Sequence, residues 1–199
     1  MGQHRGILPG AIRRWHVAQR AGPSRRQIDG LTLSRCDGID SLDVDTDSLA
    51  AMAAAEDQVG FAMEVFAARS FGHATLDISD RHKTTSQRLI SLSGAEDNRA
   101  KTYDVTQLLA NPNTIVDSAT GLYAPTDAVL EMNCARSEIA AVAASSTSSN
   151  ASTKSQTTSD DHSDDSREQS LGMLASMIAD RVDLALDWGY PAFDEALFA

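Results

Sequence analysis

His73, Asp77, Asp80 and His82 fall within ten residues, in the stretch FGHATLDISDRHK. Imidazoles and carboxylates are the side chains that bind transition metals or move protons near neutral pH. The spacing fits no HExxH or related ligand pattern, and the stretch straddles an expected helix boundary, which favours a structural or solvent-facing role. Cys134, in LEMNCARSE, is the second chemically interesting group. A cysteine nucleophile needs a nearby base and a lowered pKa. His73 or His82 could supply the base only through a tertiary approach, and the simpler expectation for Cys134 is a small apolar helix residue.

Asp43, Asp45 and Asp47 match the first three ligand positions of an EF-hand loop. Ser48 replaces the glycine that the sharp turn needs, and Ala54 stands at the bidentate glutamate position. Without that ligand the oxygen cage is incomplete, so no metal is expected there. Negative charge before a helix N-terminus accounts for the same residues. No C-x-x-C pair, phosphate-binding glycine loop, G-x-S-x-G elbow or dinucleotide fingerprint occurs, and no cofactor is expected. Two cysteines, Cys36 and Cys134, are too few for zinc finger-type DNA-binding modules. VTQLL at Val105–Leu109 is one residue away from an LxxLL docking motif, a weak match.

The elements that must position these groups read as helical. Leu49, Met52, Val59, Met63 and Phe66 recur at three- and four-residue steps and predict a helix over 49–70, with Asp47 or Ser48 as its cap. Glu56 interrupts that stripe, and Gly60 weakens the helix interior. A second helix is expected over 80–93, ended by Gly94, and a short helical turn before Pro112. A strand or hairpin is expected around Gly121. A further helix is expected over 126–144, with Val129, Met132, Ile139, Val142 and Ala143 on its apolar face. A last helix is expected over 171–188, with Leu174, Ile178, Val182 and Leu186 on one side and Gly189 and Pro191 at its end.

Composition divides the chain more sharply than any motif. Residues 1–28 hold six arginines and no acid, although the whole chain carries a net charge of −11. The acidic body therefore repels phosphates and anionic membrane surfaces, and direct nucleic-acid binding by it is not expected. No apolar run is long enough for a membrane span and no secretory leader is visible, so an intracellular protein, nuclear or cytoplasmic, is the expectation. An Arg-rich head also suits mitochondrial import. Between 145 and 170 there are ten serines and four threonines, with Ala151 as the sole apolar residue, which predicts a disordered linker. Asp160 and Asp161 stand three residues after Thr157 and Thr158, making these two candidate phosphorylation sites.

The domain plan that follows is a basic-then-acidic segment over 1–46, a helical domain over 47–144, an acidic Ser/Thr linker over 145–170, and a terminal helix with tail over 171–199. The fold class is mostly α. The tail is unusual. Trp188, Tyr190, Phe193 and Phe198 are four of the chain's ten aromatics, and they stand among Asp187, Asp194, Glu195 and Leu197. Acidic–aromatic segments of this kind fold onto a partner's groove. These eight residues are the expected protein-partner contact, unless the tail packs back on the first helix to close a bundle. The reading is a non-enzymatic regulatory or adaptor protein, with a transcription-associated role suggested by the Ser-rich spacer beside the tail. The alternative is a small biosynthetic enzyme or accessory subunit using the His73–His82 region and Cys134.

Overall fold

Asp45 starts the first helix. Its carboxylate accepts from the Ser48 N–H at 2.9 Å and from the Ser48 hydroxyl at 2.8 Å, and the Ser48 N–H bond holds its pKa below the ordinary range. In the computed structural model this helix, α1, spans Thr46–Ala67. It is followed by α2 (Leu76–Ser93), the short α3 (Thr106–Ala110), a two-stranded hairpin β1 (Thr114–Val116) and β2 (Tyr123–Pro125), α4 (Thr126–Ser152) and α5 (Asp161–Asp187). The structure describes residues 42–97, 99–152, 161–192 and 197–198, with backbone alone for 146–152 and 161–167. All of these belong to one compact unit, Leu33–Ala199. The mostly α expectation is met, with the hairpin where Gly121 suggested it. Gly121 takes φ 72° in the turn, and Ile115 pairs with Ala124 across the strands.

Helix α1 packs on α2 and α4, and α4 packs on α5. Leu49, Met52 and Ala53 of α1, Leu89 and Ile90 of α2, Ala141 of α4, and Leu174 and Met177 of α5 share one apolar core. The α1–α2 approach is close because Gly60 has no side chain. A Cβ there would lie 3.1 Å from the His82 Cβ and 3.2 Å from the Ser79 carbonyl oxygen. The Ser79 hydroxyl donates to the Gly60 carbonyl at 2.7 Å, and Ser86 repeats the contact to the Ala53 carbonyl at 2.6 Å. The glycine that weakens α1 locally is thus what lets α2 lie against it.

Both long helices reach into the Ser/Thr tract, α4 to Ser152 and α5 from Asp161. Two serines of the tract join the body. Ser145 accepts from the Asp45 N–H at 3.0 Å, and Ser170 accepts from the Asp43 N–H at 3.1 Å. Residues 153–160, with Thr157 and Thr158, lie outside the described residues. The apolar face expected for α5 is rotated. Leu186 is 41% exposed, and the buried stripe is Leu174, Met177, Arg181, Leu184, Ala185 and Trp188. A charged residue sits in the middle of the true stripe, so counting only apolar residues selected the neighbouring one.

Candidate functional site

Each of the four long helices carries an ionisable residue within its buried stripe. On α1 it is Glu56, between Met52 and Val59. On α2 it is His82, between Ile78 and Leu89. Helix α4 presents Glu131, Cys134 and Glu138, whose spacing of three and four puts them on one face. On α5 it is Arg181. Every one of these side chains is at most 1% exposed.

They meet. His82 Nδ1 lies 2.5 Å from Glu56 Oε2, and its Nε2 lies 2.9 Å from Glu131 Oε1. Arg181 donates to the other Glu56 oxygen, from Nε at 3.1 Å and from Nη2 at 2.6 Å. One ligand atom each from Glu56, His82 and Cys134 lie within 4.8 Å of one another. Two polar atoms of the cluster, Glu131 Oε2 and Arg181 Nη1, have no hydrogen-bond partner, and the Glu138 carboxyl lies against Glu56.

Burial and charge divide the protonation states. Burial alone would raise the Glu56 carboxyl, but Arg181 and His82 outweigh it and hold it well below the ordinary range. Burial and Arg181 disfavour the imidazolium of His82, yet Glu131 and Glu56 overcome both and raise its pKa. Glu138 is raised well above the usual carboxylate range by burial and then by the Glu56 charge. Cys134 is raised by burial and the same charge, so it stands as a thiol at neutral pH. An imidazolium clamped between two carboxylates, with a guanidinium behind one of them, is a charge-compensated cluster in the core.

The four residues FGHATLDISDRHK brings to mind do not converge. His82 is in the core cluster, whereas His73 is half-exposed and bound to Asp127, through Nδ1 at 2.9 Å and through its backbone N–H at 2.6 Å. Gly72, at φ 56°, admits this contact, since a Cβ there would lie 2.3 Å from an Asp127 oxygen. Asp77 pairs with Arg81 one turn on, and Asp80 is exposed. Asp80 instead borders a shallow depression of about 560 Å³ with Lys83, Thr84, Gln87, Arg88 and Ser91, which neither His82 nor Cys134 lines.

The tail residues separate likewise. Trp188 is 5% exposed and stacks on the His73 ring, centroids 5.5 Å apart. Tyr190 is buried, and its hydroxyl donates to Asp117 and accepts from Arg136 Nη2 at 3.0 Å. Arg136 also clasps Asp117, at 2.8 Å and 3.2 Å, in the turn of the hairpin. Expected as partner contacts, Trp188 and Tyr190 instead dock α5 to the body, because two polar anchors receive them and Gly189 (φ 97°) turns the chain between them. Asp187 is exposed, Leu197 half-buried and Phe198 77% exposed. Phe193, Asp194 and Glu195 lie outside the described residues.

Sequence reasoning singled out His82 and Cys134 and noticed Glu56 only as a flaw in a stripe. It missed Glu131, Glu138 and Arg181. The available signal was one charge per helix at a position that the helical period assigns to the core. Comparison with protein-family models, with curated proteins and with solved structures finds no match for this chain. Among the described residues, no helix is long and apolar enough to cross a membrane.

Proposed function

We propose that this chain is a non-enzymatic regulatory or adaptor protein that works through protein contacts made by its C-terminal acidic–aromatic segment. The supporting observation is the closure of the core cluster. Both ring nitrogens of His82 are occupied by carboxylates, and neither His82 nor Cys134 has any exposure with which to meet a substrate. A general base or thiol nucleophile must reach the reacting atom. These groups hold helices together instead. Convergence of Glu56, His82 and Cys134 favours the alternative, a small enzyme or accessory subunit, but that role requires the bundle to open.

The contact segment in this reading begins after Tyr190, since Trp188 and Tyr190 are committed to the body. Phe198 projects from it, and the acids at 194 and 195 would keep it solvated and attract a basic partner. A transcription-associated role is the finer form of the proposal and rests on composition. Leu197→Ala combined with Phe198→Ala should abolish binding to a partner identified by cross-linking and then measured with purified proteins, and should leave the melting temperature unchanged. Undiminished binding would refute the segment's role. A fusion of residues 187–199 to a DNA-tethering domain should activate a reporter, and silence there would remove the transcription reading alone.

A further inference from the structure

Two buried polar atoms without partners, Glu131 Oε2 and Arg181 Nη1, in a cluster that also buries an imidazole, a thiol and two more carboxyls call for a physical cause. Each such atom costs about 1–3 kcal/mol, so native cores rarely leave several together. The Glu131 and Glu138 carboxyls flank Cys134 on the same face of α4, and Glu138 also lies against Glu56. The donors gathered here are an imidazole, a thiol and carboxylates from three helices, a nitrogen–sulfur–oxygen set that suits zinc better than calcium or magnesium.

The surroundings also resemble a supported ligand shell. Arg181 takes one oxygen of Glu56 and leaves the other turned to His82. With His82 Nδ1 on the ion beside Glu56, Nε2 keeps Glu131, the arrangement that orients metal-bound histidines. Zinc–ligand bonds of about 2.0–2.3 Å place tetrahedral ligand atoms roughly 3.5 Å apart. The 4.8 Å spread of Glu56, His82 and Cys134 is within side-chain adjustment of that figure.

We infer that Glu56, His82 and Cys134 form a buried structural site for one zinc-class divalent cation, with Glu131, Glu138 and Arg181 around its ligands. The ion replaces the protons on the Cys134 thiol and on one His82 ring nitrogen, which pass to solvent. It thereby ties α1, α2 and α4 at one point. This site is independent of the C-terminal segment and of the partner proposal.

The test uses the full-length, tag-free chain carrying Cys36→Ser, refolded in a chelator, dialysed, and titrated with zinc or cobalt(II). Zinc should raise the melting temperature in a concentration-dependent way, by roughly 5–11 °C at a hundredfold excess over Kd. Cobalt(II) should give a thiolate-to-metal charge-transfer band, since Cys134 is the remaining thiol. Cys134→Ala should weaken the zinc-dependent shift at least tenfold in zinc concentration and should remove the cobalt band. Absence of both the shift and the band in the parent chain would overturn the site, as would a shift without a thiolate band, which marks surface binding. Should Cys134→Ala fail to fold, the parent's cobalt band decides by itself.

Discussion

Removing the Arg181 charge should destabilise the bundle more than any surface change. Its guanidinium is fully buried, makes two bonds to Glu56 Oε1 across 125 residues of sequence, and is the core cluster's link from α5 to α1. Arg181→Leu would leave the buried Glu56 carboxylate with His82 in place of two cationic partners. Breaking one side of a buried pair costs about 3–5 kcal/mol. At about 2–4 °C per kcal/mol for a domain of this size, the melting temperature should fall by roughly 6–20 °C. Thermal denaturation followed by circular dichroism measures it, with Glu56→Leu/Arg181→Leu as the control. Replacing both charges by packed apolar side chains is often neutral or better, so the double variant should recover most of the loss. His82 keeps Glu131 in that variant. A single variant melting within about 2 °C of the parent, or a double variant that merely sums the two single losses, would refute the account of the cluster as a coupled network.

Three further outcomes follow from the packing. Asp117 is buried, which raises its carboxyl, but bonds from Arg136 and Tyr190 outweigh burial and lower it overall. Its stabilising contribution is therefore complete above the unfolded carboxylate pKa of about 4 and is lost as pH falls through the lower folded value. Melting temperatures compared between pH 7 and 3 should show the parent losing more than Asp117→Asn does, and equal losses would contradict the sign. Gly60→Ala should lower stability by about 1–3 kcal/mol, although alanine gains up to about 1 kcal/mol in helix propensity, because the Ser79 carbonyl 3.2 Å from the new Cβ is backbone. A stabilised Gly60→Ala chain in urea denaturation would show that α2 does not need the close approach. Tyr190→Phe should cost about 1–3 kcal/mol by depriving the buried Asp117 of a donor, and an unchanged urea midpoint would mean that the tail anchor is idle.

Local signals carried much of the fold. Gly94 (φ 64°) ends α2 and Gly121 turns the hairpin, each through a backbone requirement, whereas the cap of α1 is Asp45 and not the expected Asp47 or Ser48, which lie inside the helix. The phase of α5 was not legible from apolar spacing, because Arg181 occupies a core position that Glu56, 125 residues away, and the α4 acids make tolerable. The cluster was hidden for the same reason. Glu56 reads as a flaw in α1 until His82 and Arg181 are seen to meet it. The fate of the tail depended on Asp117 and Asp127, two acids that nothing local distinguishes from the many others in this chain. Trp188 and Tyr190 find the body through them.

The division of the C-terminus between body and contact segment is the claim on which the functional proposal stands, and two truncations test it together. A chain ending at Tyr190 should melt with the full-length protein and fail to bind the partner. A chain ending at Asp187 should melt several degrees lower, since it loses the Trp188 stack on His73 and the Tyr190 bonds to Asp117 and Arg136. Retained partner binding by the chain ending at Tyr190, or a melting temperature as low as that of the shorter chain, would contradict the account.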